Sequence, residues 1–222
     1  MAQSALILGG TGLVGSHVLK HLLESDSYSS VISVGRSSTG IKHPKLVEHI
    51  FDLTEMDRHA DLFKADVFVC CLGTTIKKAG SKTQFRLIDY TLPLKASILM
   101  KQNGAKSVFL VSSSGADSTS RFFYLQVKGD VERAITEVGF ERTLIFRPAG
   151  LLGKRNEFRP GEKIGVGVMK LLSPIMIGPL RKNRPIKAEN VAYVMTHLPS
   201  ERISGVRAYE SHEIQTLYDS MS

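Results

Sequence analysis

Residues 5–15 read ALILGGTGLVG: four apolar letters run straight into glycines at 9, 10, 12 and 15, and a helical stripe follows at Leu13, Val14, Val18, Leu19, Leu22 and Leu23. A strand that turns through glycine into a helix presents backbone N–H groups at the helix N-terminus, where side chains would obstruct an approaching phosphate. A glycine triplet alone is a weak sign and also suits a tight turn. Its place at the strand-to-helix junction of the first βα unit ties it to dinucleotide binding. The phosphate contacts then fall to Gly9, Thr11, Gly12, Leu13, Val14 and Gly15.

The same alternation continues along the chain. SVISVGR (30–36), KLVEHIFDL (45–53), KADVFVCCLG (64–73), KSVFLVSSSG (106–115) and ERTLIFRPAG (141–150) read as further strands, KADVFVCCLG nearly continuous in apolar letters, as a strand covered on both faces should be. Between them, 85–104 reads as one long helix that begins or bends at Pro93, and 124–138 as another. This rhythm predicts an α/β fold of the Rossmann type: a doubly wound parallel sheet with right-handed crossovers, flanked by helices. After Gly150 it breaks. Residues 151–187 are rich in glycine, proline and basic side chains, with a helix only over 162–172; 184–198 gives an extended piece and a helix from about Glu189. The expectation is one nucleotide-binding domain over residues 1–222, in which 151–187 is a small C-terminal rim on the substrate side.

At 222 residues and 42% hydrophobic the chain can bury one good core. No apolar run is long enough to span a bilayer, and MAQSALILGG lacks a secretory pattern, so no membrane association is expected. Cys70 and Cys71 are adjacent inside a buried strand, which suits neither a disulfide framework nor a metal site; a reducing, cytoplasmic location is the expectation. The formal charge of +8 suits an anionic ligand. Nucleic acid would want a broader positive face and stacking aromatics, and is not expected. His17 and His21 lack converging ligands and read as an exposed helix face, so no metal is expected. The basic stretch 178–187, with Arg181, Lys182, Arg184 and Lys187, reads as a solvated loop or as a rim attracting anions.

The strand ends that follow the glycine loop extend the nucleotide reading. The second strand ends in Arg36, Ser37 and Ser38 where an acid would take the ribose hydroxyls of NAD; a guanidinium fork suits a 2′-phosphate and favours NADP(H). Asp52, with Leu53, can accept from the adenine amine or cap the helix that LTEMD begins. Leu72, Gly73 and Thr74 close the fourth strand, where glycine admits a close backbone approach and threonine offers a hydroxyl. In open parallel sheets such C-terminal ends share one crevice.

The chemistry would come from YLQVK (124–128). Tyr124 and Lys128 stand one helical turn apart. An ammonium beside a phenol favours the phenolate, and a tyrosine so placed can pass a proton to or from a carbonyl. The strand before it ends in Ser112, Ser113 and Ser114, one of which can hold the carbonyl oxygen. Phe122, Phe123 and the Leu151–Leu152 region would form an apolar wall on the substrate side.

GGTGLVG (9–15), LGTT (72–75), KAG (78–80), SSSGADSTSRFFYLQVKGDVE (112–132), FRPAGLLG (146–153) and RPIKAENVA (184–192) together resemble the short-chain dehydrogenase/reductase superfamily. Within its extended-like, atypical branch they are similar to the small NADPH-binding proteins of the TIP30/CC3 (HIV Tat-interactive protein 2) group. The glycine loop marks only the superfamily; the SSSGAD and YLQVKG blocks mark the subgroup. The resemblance implies a catalytic set of Tyr124 and Lys128 with a serine among Ser112–Ser114, Ser113 on the subgroup pattern and Ser114 on the extended-family pattern. It also implies a nicotinamide side lined by Tyr124, Lys128, Arg147, Pro148 and Gly150. LGTT replaces the usual asparagine-alanine-glycine signature, and the helix asparagine of the four-residue catalytic set is not evident near Ile88–Leu94.

Three functions follow as expectations. The first is an NADP-dependent oxidoreductase acting on a small carbonyl or alcohol. The second is an NADPH-binding regulatory module that works through a protein partner. The third is an epimerase or isomerase that retains its cofactor. The chain is expected to be a monomer or a homodimer.

Overall fold

The central strands of this protein are apolar on both faces because both faces are covered. In β1 (Gln3–Leu8) the buried residues alternate: Ala5 and Ile7 enter one core cluster, Leu6 and Leu8 the other. β4 (Val67–Cys70) does the same, Val67 and Val69 facing one way, Phe68 and Cys70 the other. β5 (Ser107–Val111) sends Phe109 to the first cluster and Val108 and Leu110 to the second. Each large apolar side chain so enclosed contributes about 1.5–3 kcal/mol.

A computed structural model describes residues 2–153, 184–198 and 203–222. Seven parallel strands form the sheet, in the order β3-β2-β1-β4-β5-β6-β9. The remaining members are β2 (Tyr28–Gly35), β3 (Leu46–Ile50), β6 (Arg142–Arg147) and β9 (Gly205–Glu210). The doubly wound expectation holds: the strand order reverses between β1 and β4, which opens a crevice beyond their C-terminal ends.

One face carries α1 (Leu13–Glu24), α6 (Ala188–His197) and α7 (Ser211–Met221). The other carries a 3-10 segment (Leu53–Leu62), α4 (Leu92–Gln102) and α5 (Phe123–Glu137). α2 (Ile76–Ala79) and α3 (Lys82–Arg86) are short helices capped by Thr75 and Ser81. A second, two-stranded parallel sheet pairs β7 (Leu151–Leu152) with β8 (Ile186–Lys187).

Several expectations change. The long helix of 85–104 is α3, a π-helical turn (Leu87–Thr91) and α4, and Pro93 falls in the first turn of α4. Proline clashes with the carbonyl four residues back, and the wider turn ahead of it relieves that clash. His21 does not sit on an exposed face: it meets Tyr193 and His197 edge-on at 5.7 and 5.3 Å, because α6 packs along α1. β9 and α7 were not foreseen. The helix expected over 162–172, most of the rim segment 151–187, and Arg181 and Lys182 lie outside the described residues. Among the described residues no helix is long and apolar enough to cross a membrane.

Candidate active site

The crevice is built at the strand ends. Gly9 follows β1 with φ +82°, and a Cβ there would lie 2.7 Å from the backbone carbonyl carbon of Cys71 after β4. The two loops are joined directly, Cys71 N–H donating to the Leu8 carbonyl at 2.9 Å. Gly12 N–H turns back to the Gly9 carbonyl at 2.9 Å, and a Cβ on Gly15 would collide with that same oxygen. Only glycine lets α1 start this close to the loop. Gly12 offers no side-chain cap to the first-turn N–H groups of α1. These residues fit a nucleotide phosphate. Val14 is buried in the core and can contribute only its N–H; Thr11 is exposed and Leu13 half-buried.

Arg36 and Ser37 are exposed just beyond β2. Asp52 caps the 3-10 segment, its Oδ1 accepting from Thr54 N–H at 2.9 Å and from Thr54 Oγ1 at 2.8 Å. Those bonds, with a smaller pull from Arg36, hold its carboxyl below the usual range. The capping alternative is thus the one seen, while Leu53 turns into the core.

α5 carries the tyrosine and lysine as the spacing predicts. Tyr124 is half-buried, its ring 5.5 Å from that of Phe85. Lys128 points inward and is 5% exposed. Its Nζ lies 2.7 Å from Oδ1 of Asp89, a side chain of the π turn that is wholly buried. The other oxygen of Asp89 accepts from Thr74 N–H at 2.9 Å. A Cβ on Gly73 would sit 3.3 Å from Asp89 Oδ1 and 3.6 Å from Lys128 Nζ, so the loop after β4 passes over the pair. Burial pushes the Asp89 carboxyl upward against the pull of Lys128. Burial also opposes the Lys128 ammonium, but Asp89 and the Tyr124 oxygen together outweigh it and the net direction is up.

Asp89 is not among the residues expected from the sequence, where the family pattern has an asparagine in this helix. The signal was a lone acid in an apolar helical stretch, LIDYTLPL.

The serine loop is pinned from both sides. Ser112 N–H donates to the Phe146 carbonyl at 2.7 Å and Ser114 N–H to that of Pro148 at 3.0 Å. The Ser112 hydroxyl is buried without a partner among the described residues. Ser113 and Ser114 are half-buried, and Ser113 Oγ makes one long contact, 3.4 Å, to the Ser114 carbonyl. Asp117 N–H donates to the Leu125 carbonyl at 3.1 Å, and Gly129 on α5 lies against the backbone of Asp117 and Ser118 with no room for a Cβ.

Arg147 is used differently from the expectation. Its Nε donates to Glu132 at 3.0 Å and its Nη1 to Glu210 at 3.0 Å, so the guanidinium clamps α5 to the end of β9. Pro148 is buried and Gly150 packs on Pro185. Phe122 is 73% exposed, while Phe123 lies between Phe85 and the ammonium of Lys82.

The profile of the NAD dependent epimerase/dehydratase family matches residues 5–119. The chain is 40% identical to the protein HTATIP2 of Rattus norvegicus over 164 residues, 72% of this chain and 67% of that one. It is 32% identical to the protein FMP52, mitochondrial, of Candida albicans over 209 residues, 91% of this chain and 90% of that one. Among solved structures, a UDP-N-acetylglucosamine 4-epimerase from Methanobrevibacter ruminantium, in complex with UDP-N-acetylmuramic acid, aligns over 98% of this chain and 80% of its own. Its TM-score is 0.71 and its identity 16%, a likeness of fold. The expected cytoplasmic location is corrected here, because FMP52 relatives from several fungi carry mitochondrial names.

Proposed function

The chain belongs to the NAD dependent epimerase/dehydratase family, with a Rossmann-type NAD(P) site and a redox or isomerising enzymatic role, and we propose that it moves a hydride to or from a carbon bearing oxygen, Tyr124 handling the proton. The observation that carries this reading is the buried Lys128 one turn from Tyr124, directly under Gly73 at the crevice. The glycine loop and the first turn of α1 would hold the phosphates of a nicotinamide dinucleotide. Gly73, Thr74 and Lys128 would line its nicotinamide side. The bound dinucleotide supplies the hydride acceptor and donor. Tyr124 exchanges the proton of the substrate oxygen, Lys128 stabilises the phenolate, and Ser113 orients the oxygen from the opposite side.

Two finer statements belong to the same proposal. Arg36 favours NADP(H), since no acid stands at the end of β2 to take the ribose hydroxyls. The family match favours a cofactor-retaining epimerase or isomerase over net oxidation or reduction, and the likeness to HTATIP2 supports a place in the TIP30-like branch. The substrate is a small alcohol or carbonyl compound.

The deciding experiment releases bound material from the purified protein by acid and measures dinucleotide in the supernatant, alongside titration with NADPH and NADH. Binding of either supports the reading. A chain that carries none and binds neither overturns it.

A further inference from the structure

We propose that Asp89 is a positioning residue of this site: its carboxylate is the counter-charge that seats Lys128 and ties that lysine to the loop after β4. The inference deepens the functional reading above and rests on it. Asp89 joins three elements through one side chain. It comes from the π turn, reaches Lys128 of α5 with Oδ1 at 2.7 Å, and receives Thr74 N–H on Oδ2 at 2.9 Å. The carboxylate is fully buried and the lysine side chain is 7% exposed, so water cannot replace either partner.

Among the described residues, the titratable groups acting on Lys128 are Asp89 from the π turn, Tyr124 from its own helix and Cys70 from β4. Burial pushes the Cys70 thiol up to about 11, which leaves it neutral at physiological pH. Asp89 is therefore the one carboxylate in the set. A lysine this buried without an anion would shed its proton, since desolvation disfavours the charged form. Gly73 fits the same scheme: a larger residue would press on both members of the pair.

The substitution Asp89→Asn keeps the shape and an oxygen for Thr74 but removes the charge. The test uses the full chain without dinucleotide, labelled with 15N, and follows the Nζ resonance of Lys128 through the alkaline range. Lys128→Met assigns the resonance. The expected result is a Lys128 midpoint lower by about one unit or more in D89N, a tenfold change in proton affinity. An unchanged midpoint overturns the proposal. Should D89N unfold, the double variant Asp89→Asn with Lys128→Met is the second arm. It is expected to recover the melting temperature that D89N loses; a double variant as unstable as D89N overturns the proposal, because Asp89 would then serve something other than Lys128. No dinucleotide enters either measurement, so failure of the cofactor titration above is distinguishable from failure here.

Discussion

Gly129 and Ser118 meet backbone to backbone: helix α5 and the loop that follows the three serines leave no space for a Cβ at residue 129. The glycine next to Lys128 is thereby a spacer that sets how near the serine loop lies to Tyr124. Gly129→Ala is expected to destabilise the protein by about 1–3 kcal/mol, the usual cost of forcing an extra carbon into a closed space. Urea unfolding measures it, and a stability equal to the parent's would contradict the packing described.

Tyr124→Phe removes the hydroxyl and keeps the ring against Phe85. Turnover is expected to fall about 10²–10⁴-fold, the range for a lost general acid or base. Dinucleotide affinity should stay within about twofold, since the ring packing survives. Undiminished turnover would remove Tyr124 from the chemistry.

Arg36 is exposed at the end of β2 and its side chain supports no core. Arg36→Ala is expected to weaken NADPH binding about ten- to a hundredfold, the worth of one charge-assisted contact, and to leave NADH binding nearly unchanged. Calorimetry of both cofactors decides it; equal losses would show that the guanidinium does not read the 2′-phosphate.

Arg147→Met strands Glu132, whose side chain is only 7% exposed, beside an apolar neighbour. A loss of about 3–5 kcal/mol is expected, as for a broken buried pair. Cofactor affinity in the folded fraction should be unaffected. A large affinity loss without a stability loss would assign Arg147 the cofactor role expected from sequence.

Asp66 sits at the N-terminal ends of the central strands, away from the crevice, where its Oδ2 accepts from Ser4 N–H and Ser4 Oγ, both at 2.7 Å. These bonds, the backbone one foremost, hold its carboxyl below the usual range. A lowered carboxyl stabilises the fold above its unfolded value of about 3.9, and that contribution fades as pH falls through the lowered one. Asp66→Asn should therefore be less stable than the parent at neutral pH, with the gap closing below about pH 4. A gap independent of pH would assign the effect to shape instead of charge.

The parts of this molecule that repeat a local rule were legible from the letters. β1, β4 and β5 are doubly covered, so their apolar runs are unbroken, and the glycine loop must be glycine where a Cβ would meet the backbone of Cys71 or of Gly9 itself. β9 was not legible: it is an edge strand with Val206 54% exposed, and its letters, GVRAYE, carry no clear alternation. Side-chain pairing was the other blind spot. FRPAG shows that an arginine follows β6, but only the fold brings Glu132 and Glu210 to it from 15 and 63 residues away. Asp89 was hidden for the same reason, since its partners Thr74 and Lys128 come from separate elements.

The π turn at Leu87–Thr91 gives this helical run one residue more than regular winding needs. Each residue of an α-helix advances its face by about 100°. Wound as regular α-helix, the same residues would rotate Phe85 and Arg86 by that amount relative to Leu92 and Ala96, carrying Phe85 out from under Tyr124 and Arg86 off Asp130. The wide turn thus takes up the surplus residue locally, so that both flanking helices keep the faces they present to Tyr124 and Asp130.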